Sequence, residues 1–159
     1  MLPEYHANMT HAMTDTTGWR TCRDERYGFS LRYPPDWVST TREGTCVQLQ
    51  KGAAALPHGV PQVDVYMRVV ARQGDFPGTY LQETPAGGIG RGVQYTERIE
   101  RTVGGLRAIR ARFAAVGDVP NWGVEYVVNK GDLVLDIYIS QPRPEIEEQF
   151  ESVISTLKW

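Results

Sequence analysis

The chain predicts an α+β domain built on a central antiparallel sheet of about six or more strands, with hairpin connections and few helices. Three features carry that expectation. Residues 27–33, 62–71 and 133–140 alternate apolar and polar side chains with period two, as a half-buried strand does. The pair Gly104-Gly105 and the triplet Lys130-Gly131-Asp132 each separate two strand-like runs, and glycines there supply the positive φ of a tight hairpin. The helical period is confined to a short segment after Asp75 and a longer one after Pro144.

Taken in order, residues 1–18 are polar and threonine-rich with no sustained period, and read as a flexible arm. Residues 19–23 are either an edge strand or the entry to the fold. In Tyr27-Gly-Phe-Ser-Leu-Arg-Tyr-Pro-Pro-Asp-Trp37, Phe29, Leu31 and Tyr33 share one face. Pro34 and Pro35 end that strand, because proline lacks the ladder N–H. Short strands are expected at 37–39 and 46–51 around a turn at 42–45, and a loop at 53–61. Within 62–71, Val63, Val65, Met67 and Val69 point one way. Asp75 suits an N-cap, with Pro77 in the first turn of a helix reaching about Glu83. Residues 85–92 are a glycine-rich loop. Strands follow at 95–103 and 106–115, a connection at 117–123 that holds Trp122, and a hairpin of 124–129 with 133–140. Pro144 and the acidic residues Glu145, Glu147 and Glu148 open the last helix. Its stripe is Ile146, Phe150, Val153, Ile154 and Leu157.

Composition narrows the function. The 159 residues suit one domain, and 17 basic against 19 acidic residues give a net charge of −2, which argues against a nucleic-acid binder. No run approaches the roughly 18 apolar residues of a membrane helix. Residues 1–18 lack a signal-peptide pattern. The chain therefore reads as soluble, and a trimmed form of an exported protein fits equally. Cys22 and Cys46 match no zinc spacing. If their segments are sheet neighbours, they can form a disulfide closing a loop of 24 residues, worth roughly 3–4 kcal/mol in the chain-entropy model. The plainer alternative is two inert core thiols. A bond implies an extracytoplasmic location, periplasmic or on the cell surface; free thiols imply the cytoplasm.

Three segments coincide in order: the 27–37 stretch, Val103-Gly-Gly-Leu-Arg-Ala-Ile-Arg110, and the strand 133–140 followed by Phe150-Glu-Ser-Val-Ile-Ser-Thr-Leu-Lys-Trp159. Together they resemble the PsbP-like group of the Mog1/PsbP superfamily over residues 27–159. The resemblance implies an α-β-α sandwich around the antiparallel sheet, with residues 19–159 as one Mog1/PsbP-like domain. It also implies a binding or assembly protein rather than an enzyme. Photosystem or GTPase binding does not follow, because the signature residues are structural.

Candidate chemistry is sparse. Gly87-Gly-Ile-Gly-Arg-Gly92 fits neither common phosphate-loop pattern and leads into a strand, so a plain loop is favoured. His6, His11 and His58 are spaced for no metal, and neither a metal nor a cofactor is expected. No residue set forms a catalytic constellation. Arginines 98, 101, 107, 110 and 112 cluster in one hairpin. A two-residue turn at Gly104-Gly105 places Arg112 opposite Glu97, with Arg101 and Arg110 on the same face. Arg101, Arg110, Arg112 and Trp122 form the candidate binding face; the bland reading is a solvated face with weak cross-strand pairs. The expected function is a non-catalytic binding or assembly module of the bacterial cell envelope, with another protein as partner. Alternatives are a small-ligand carrier or small enzyme using a sheet-face pocket, and a cytosolic protein-binding adaptor.

Overall fold

The computed structural model describes residues 15–39, 42–51, 63–71, 92–116 and 121–159. Its strands are β1 (Arg20–Asp24), β2 (Phe29–Tyr33), β3 (Trp37–Ser39), β4 (Gln48–Lys51), β5 (Val63–Ala71), β6 (Gly92–Val103), β7 (Leu106–Val116), β8 (Asn121–Asn129) and β9 (Leu133–Ser140). The helix α1 spans Pro144–Ser155. Strands β1 and β2 form a separate antiparallel pair. The others form one seven-stranded sheet in the order β3-β4-β5-β9-β8-β7-β6, antiparallel throughout. The architecture is α+β, as expected. The helix anticipated at 75–83, the loop at 53–61, the glycine run 87–91 and the three histidines lie outside the described residues.

Period-two alternation assigns the faces. Val65, Met67, Val124, Tyr126, Val128, Leu135, Ile137 and Ile139 project to one side of the sheet. There they join Phe29, Leu31 and Tyr33 of β2 and Ile146, Phe150, Val153 and Ile154 of α1 in one buried core. This is the covered face. The opposite face carries a smaller cluster of Ile109, Ala111, Val127 and Val134. The proline at the start of α1 costs no hydrogen bond, since the first helical N–H groups have no partner within the helix.

The three sequence signatures meet at one end of the molecule. Ser30 and Lys158 exchange backbone hydrogen bonds of 2.8 and 3.0 Å, and Arg32 N–H donates to Thr156 Oγ1 at 2.8 Å. The Trp159 indole donates to the Tyr27 carbonyl at 2.7 Å, and its ring lies 5.5 Å from that of Phe29. Gly104 completes the junction. Its φ is +58°, and a Cβ there would stand 2.7 Å from the Leu157 carbonyl oxygen. Gly104→Ala combines a left-handed backbone with that clash, so it is expected to lower stability by about 1–3 kcal/mol. A urea melt of the variant checks this.

A second anchor ties β1 to β4. Asp24 is 1% exposed and accepts hydrogen bonds from the Cys46 N–H at 3.0 Å and the Arg26 guanidinium at 2.7 Å. Burial raises its pKa, but the hydrogen bonds from Arg26 and Cys46, with the Arg26 charge, outweigh that and hold it below the usual range. Beside it, Cys22 and Cys46 form a disulfide, which selects the bonded alternative.

Three details differ from expectation. Strand β6 begins at Gly92, inside the expected loop, and β8 begins at Asn121. Trp122 therefore lies in a strand rather than a connection, because Ala114 and Ala115 of β7 extend the ladder to it. The β6–β7 register follows the two-residue turn only as far as Ile99↔Arg110; a bulge then sets Thr96 opposite Arg112. Glu97 is the residue that turns, with φ of +51°, so Arg112 does not stand opposite it. An extra residue in one strand displaces every later pair by one.

Candidate functional site

A groove of about 510 Å³ runs between α1 and the β6–β7 edge. Arg110 and Tyr126 line it from the sheet, Arg101 and Thr102 from β6, and Glu147 and Glu151 from the helix. Arg110 Nε donates to Glu151 Oε1 at 2.5 Å, and the Tyr126 hydroxyl donates to the other oxygen, Oε2, at 2.5 Å. Arg112 makes paired bonds of 2.9 and 2.6 Å to Glu147 and an ion pair of 2.6 Å to Glu97. Burial alone would lower the pKa of Arg110; the Glu151 charge and hydrogen bond prevail and raise it. Burial also raises that of Tyr126, reinforced by Glu151.

Four residues of helix rise about 6 Å, and two residues of strand about 6.6 Å. Glu147 and Glu151 therefore meet Arg112 and Arg110 in step as α1 runs antiparallel to β7. This is a docking arrangement: two arginines on a strand hold a helix by its carboxylates.

All four sequence-selected residues sit on the covered face. Arg101 shares it through its pairing with Ala108. The structure brings Arg101 and Arg110 to the groove, but with different roles: Arg101 is exposed at the rim, while Arg110 is 9% exposed and tied to the helix. Arg112 is likewise engaged by carboxylates. Trp122 stands opposite Ala114, outside the groove lining, with 46% of its surface exposed. Of the other hairpin arginines, Arg107 pairs with Glu100 at 2.6 Å and Arg98 lies 5.6 Å from the Tyr95 ring centroid.

The opposite face holds a site the strand pattern could have signalled. Glu125 and Asp136 interrupt apolar strands at positions facing away from the main core, and they are 7% and 6% exposed. Arg68 donates to Asp136 Oδ2 at 3.2 Å, while the buried Oδ1 accepts from no donor in a fully ionised pair. A protonated Glu125 supplies that donor. Burial, then its hydrogen bond to Asp136 and the Asp136 charge, push the Glu125 pKa up to about 9; the Tyr95 hydroxyl works weakly against this. Burial and the nearby Glu125 in turn raise the pKa of Tyr95. The protonated Glu125 thus donates to Asp136, and Arg68 pairs with the Asp136 carboxylate.

An unfolded glutamate ionises near 4.5. Between about pH 4.5 and 9 the folded chain therefore holds a proton that the unfolded chain has released, so stability falls as pH rises through that window. Glu125→Gln keeps a donor toward Asp136 without a proton to lose. It should melt higher than the parent chain at pH 8, by the equivalent of about 1–3 kcal/mol, with a flatter profile from pH 5 to 9. Calorimetry across that range checks it.

Among the described residues, no group of three or more His, Cys, Asp or Glu is placed to hold a metal ion, and no helix is long and apolar enough to cross a membrane.

No family model and no curated protein sequence matches the chain. The sheet order, the hairpin and the helix on one face define a PsbP-like α+β fold. The chain is similar to the solution structure of the cyanobacterial PsbP protein CyanoP from Synechocystis sp. PCC 6803, with a TM-score of 0.56 and 12% identity over 92% of this chain and 98% of that one. It is also similar to the crystal structure of LpqN, involved in cell envelope biogenesis of Mycobacterium tuberculosis, with a TM-score of 0.58 and 12% identity over 89% of this chain and 91% of that one. At such identity the likeness is one of fold.

Proposed function

We propose that this chain is a non-catalytic binding module of the cell envelope, holding a protein partner on the sheet face that carries Arg101 and Trp122. The observation behind this reading is an exposed tryptophan and an exposed arginine at the two ends of the α1 docking site on one sheet face, residue types enriched among interface anchors. Arg110 and Arg112 fix α1 and thereby shape that face, rather than meeting the partner themselves. The Cys22–Cys46 bond suits an oxidising compartment, and the envelope role of LpqN points the same way. A raised carboxyl pKa such as that of Glu125 is also what an acid–base enzyme would use. Both carboxyls are nevertheless under a tenth exposed, and the Glu125 proton is engaged by Asp136, which favours binding over catalysis.

Capture from an envelope extract of the source cell tests the reading. The parent chain should retain a discrete partner, and Trp122→Ala and Arg101→Glu should each retain at least about tenfold less, the loss typical of interface anchors. Equal retention by all three forms refutes the assigned face. A partner recovered only from cytosol refutes the envelope placement.

A further inference from the structure

Strand β6 is the last strand of the seven-stranded sheet, and among the described residues it pairs only with β7. Residues 96–102 are all exposed, and none of the described residues covers this edge. Ile99, at its middle, is 42% exposed. An uncovered edge offers a row of backbone donors and acceptors to another strand.

The charges along this edge follow an unusual rule. The run Glu97-Arg98-Ile99-Glu100-Arg101 reads as its own charge complement when reversed. Laid antiparallel on a second copy about a two-fold axis at Ile99, Arg98 meets Glu100 of the other copy and Glu97 meets Arg101. Ile99 meets its own counterpart. Registers centred on residues 97, 98, 100 or 101 instead set a charge against itself. A two-fold axis normal to the sheet keeps side chains on their own face, so the central residue must pair with itself, and Ile99 is the neutral choice with opposite charges on both flanks.

We infer that β6 pairs with β6 of a second copy, joining two seven-stranded sheets through an interface centred on Ile99. The bulge at Glu97 and the dense charge are devices that turn away arbitrary strands. Here they leave one register open. The ladder to β7 is regular from Ile99 to Val103, while Glu97 and Arg98 lie within the bulge, so the Arg98–Glu100 and Glu97–Arg101 pairs reach across it on long side chains. The intramolecular pairs Arg107–Glu100 and Arg112–Glu97 do not block this, since a carboxylate accepts several hydrogen bonds. Arg98 lies near the Tyr95 ring and is already engaged; a guanidinium with five donors serves more than one partner. The inference does not rest on the partner reading above: the two share Arg101, and the variants used below, at Arg98 and Glu100, leave Arg101 and Trp122 unchanged.

The test uses two charge reversals, Arg98→Glu and Glu100→Arg, in the full chain, with sedimentation equilibrium over a range of concentrations. The parent chain should shift with concentration toward twice its 17.9 kDa mass. Each single variant should associate at least about tenfold more weakly, since like charges then face each other. An equimolar mixture of the two should recover association, because every 98–100 contact in the mixed dimer is again oppositely charged. The double variant Arg98→Glu/Glu100→Arg should recover it alone. A fold defect in either single variant cannot produce recovery on mixing. A parent chain that stays monomeric at all concentrations overturns the inference, as do single variants that associate as well as the parent.

Discussion

Arg110→Met is expected to lower stability by about 3 kcal/mol, seen as a fall in the urea midpoint with no change in slope. The methionine fills much the same space, so the loss is electrostatic. Glu151 would keep the Tyr126 hydroxyl but lose the guanidinium 2.5 Å away, leaving a largely buried carboxylate without its counter-charge. Removing one member of such a pair typically costs about 3–5 kcal/mol. The lower figure applies because Tyr126 remains and part of Glu151 reaches solvent. Arg110→Met/Glu151→Leu should recover most of the loss, leaving about 1 kcal/mol for the stranded Tyr126 hydroxyl. If the double variant is no better than the single, packing rather than charge holds the helix at this point.

Cutting the Cys22–Cys46 bond should have a similar effect. The closed loop spans 24 positions, for which the chain-entropy model gives about 3–4 kcal/mol. The bond joins β1 to the approach of β4, so it also fixes the two-stranded unit against the main sheet. Cys22→Ala/Cys46→Ala should melt well below the oxidised parent chain, and reductant should lower the parent to nearly the same point while leaving the variant unmoved. A parent chain whose melting ignores reductant, with the bond shown broken by mass, would contradict this. Against the roughly 5–15 kcal/mol that holds a typical domain together, either change removes a large share.

Much of this fold can be read in the chain before any coordinates. Phe29, Leu31 and Tyr33 announce a buried strand by alternation alone, and all three are buried. The helix stripe at Ile146, Phe150, Val153 and Ile154 lies in the same core, because a period of 3.6 admits one apolar side only. Gly104-Gly105 marks its hairpin since both residues need positive φ. The bulge is different. Glu97 adopts a left-handed backbone without being glycine or asparagine, so no residue type betrays it. The register beyond it was therefore misplaced by one. Trp122 was missed as a strand residue because Pro120 and Gly123 resemble punctuation, while the ladder to Ala114 that overrides them is a long-range fact. The candidate face was legible as residue types, but not the division between arginines engaged by the helix and one left at the rim. That depends on matching a helical rise to a strand rise, a relation between elements far apart in the chain. The contact of Glu125 with Asp136 is hidden similarly: each looks like an ordinary charge until burial and β8–β9 pairing place them together.

The union of Tyr27 with Trp159, 132 positions apart, sets a waiting time during synthesis. At about 5–20 residues per second, translation needs on the order of ten seconds to travel from one to the other. Throughout that interval the β1–β2 ribbon can gather only its near neighbours Trp37, Cys46 and Leu49. Its contacts with Thr156, Lys158 and Trp159 wait until that distant segment has been made.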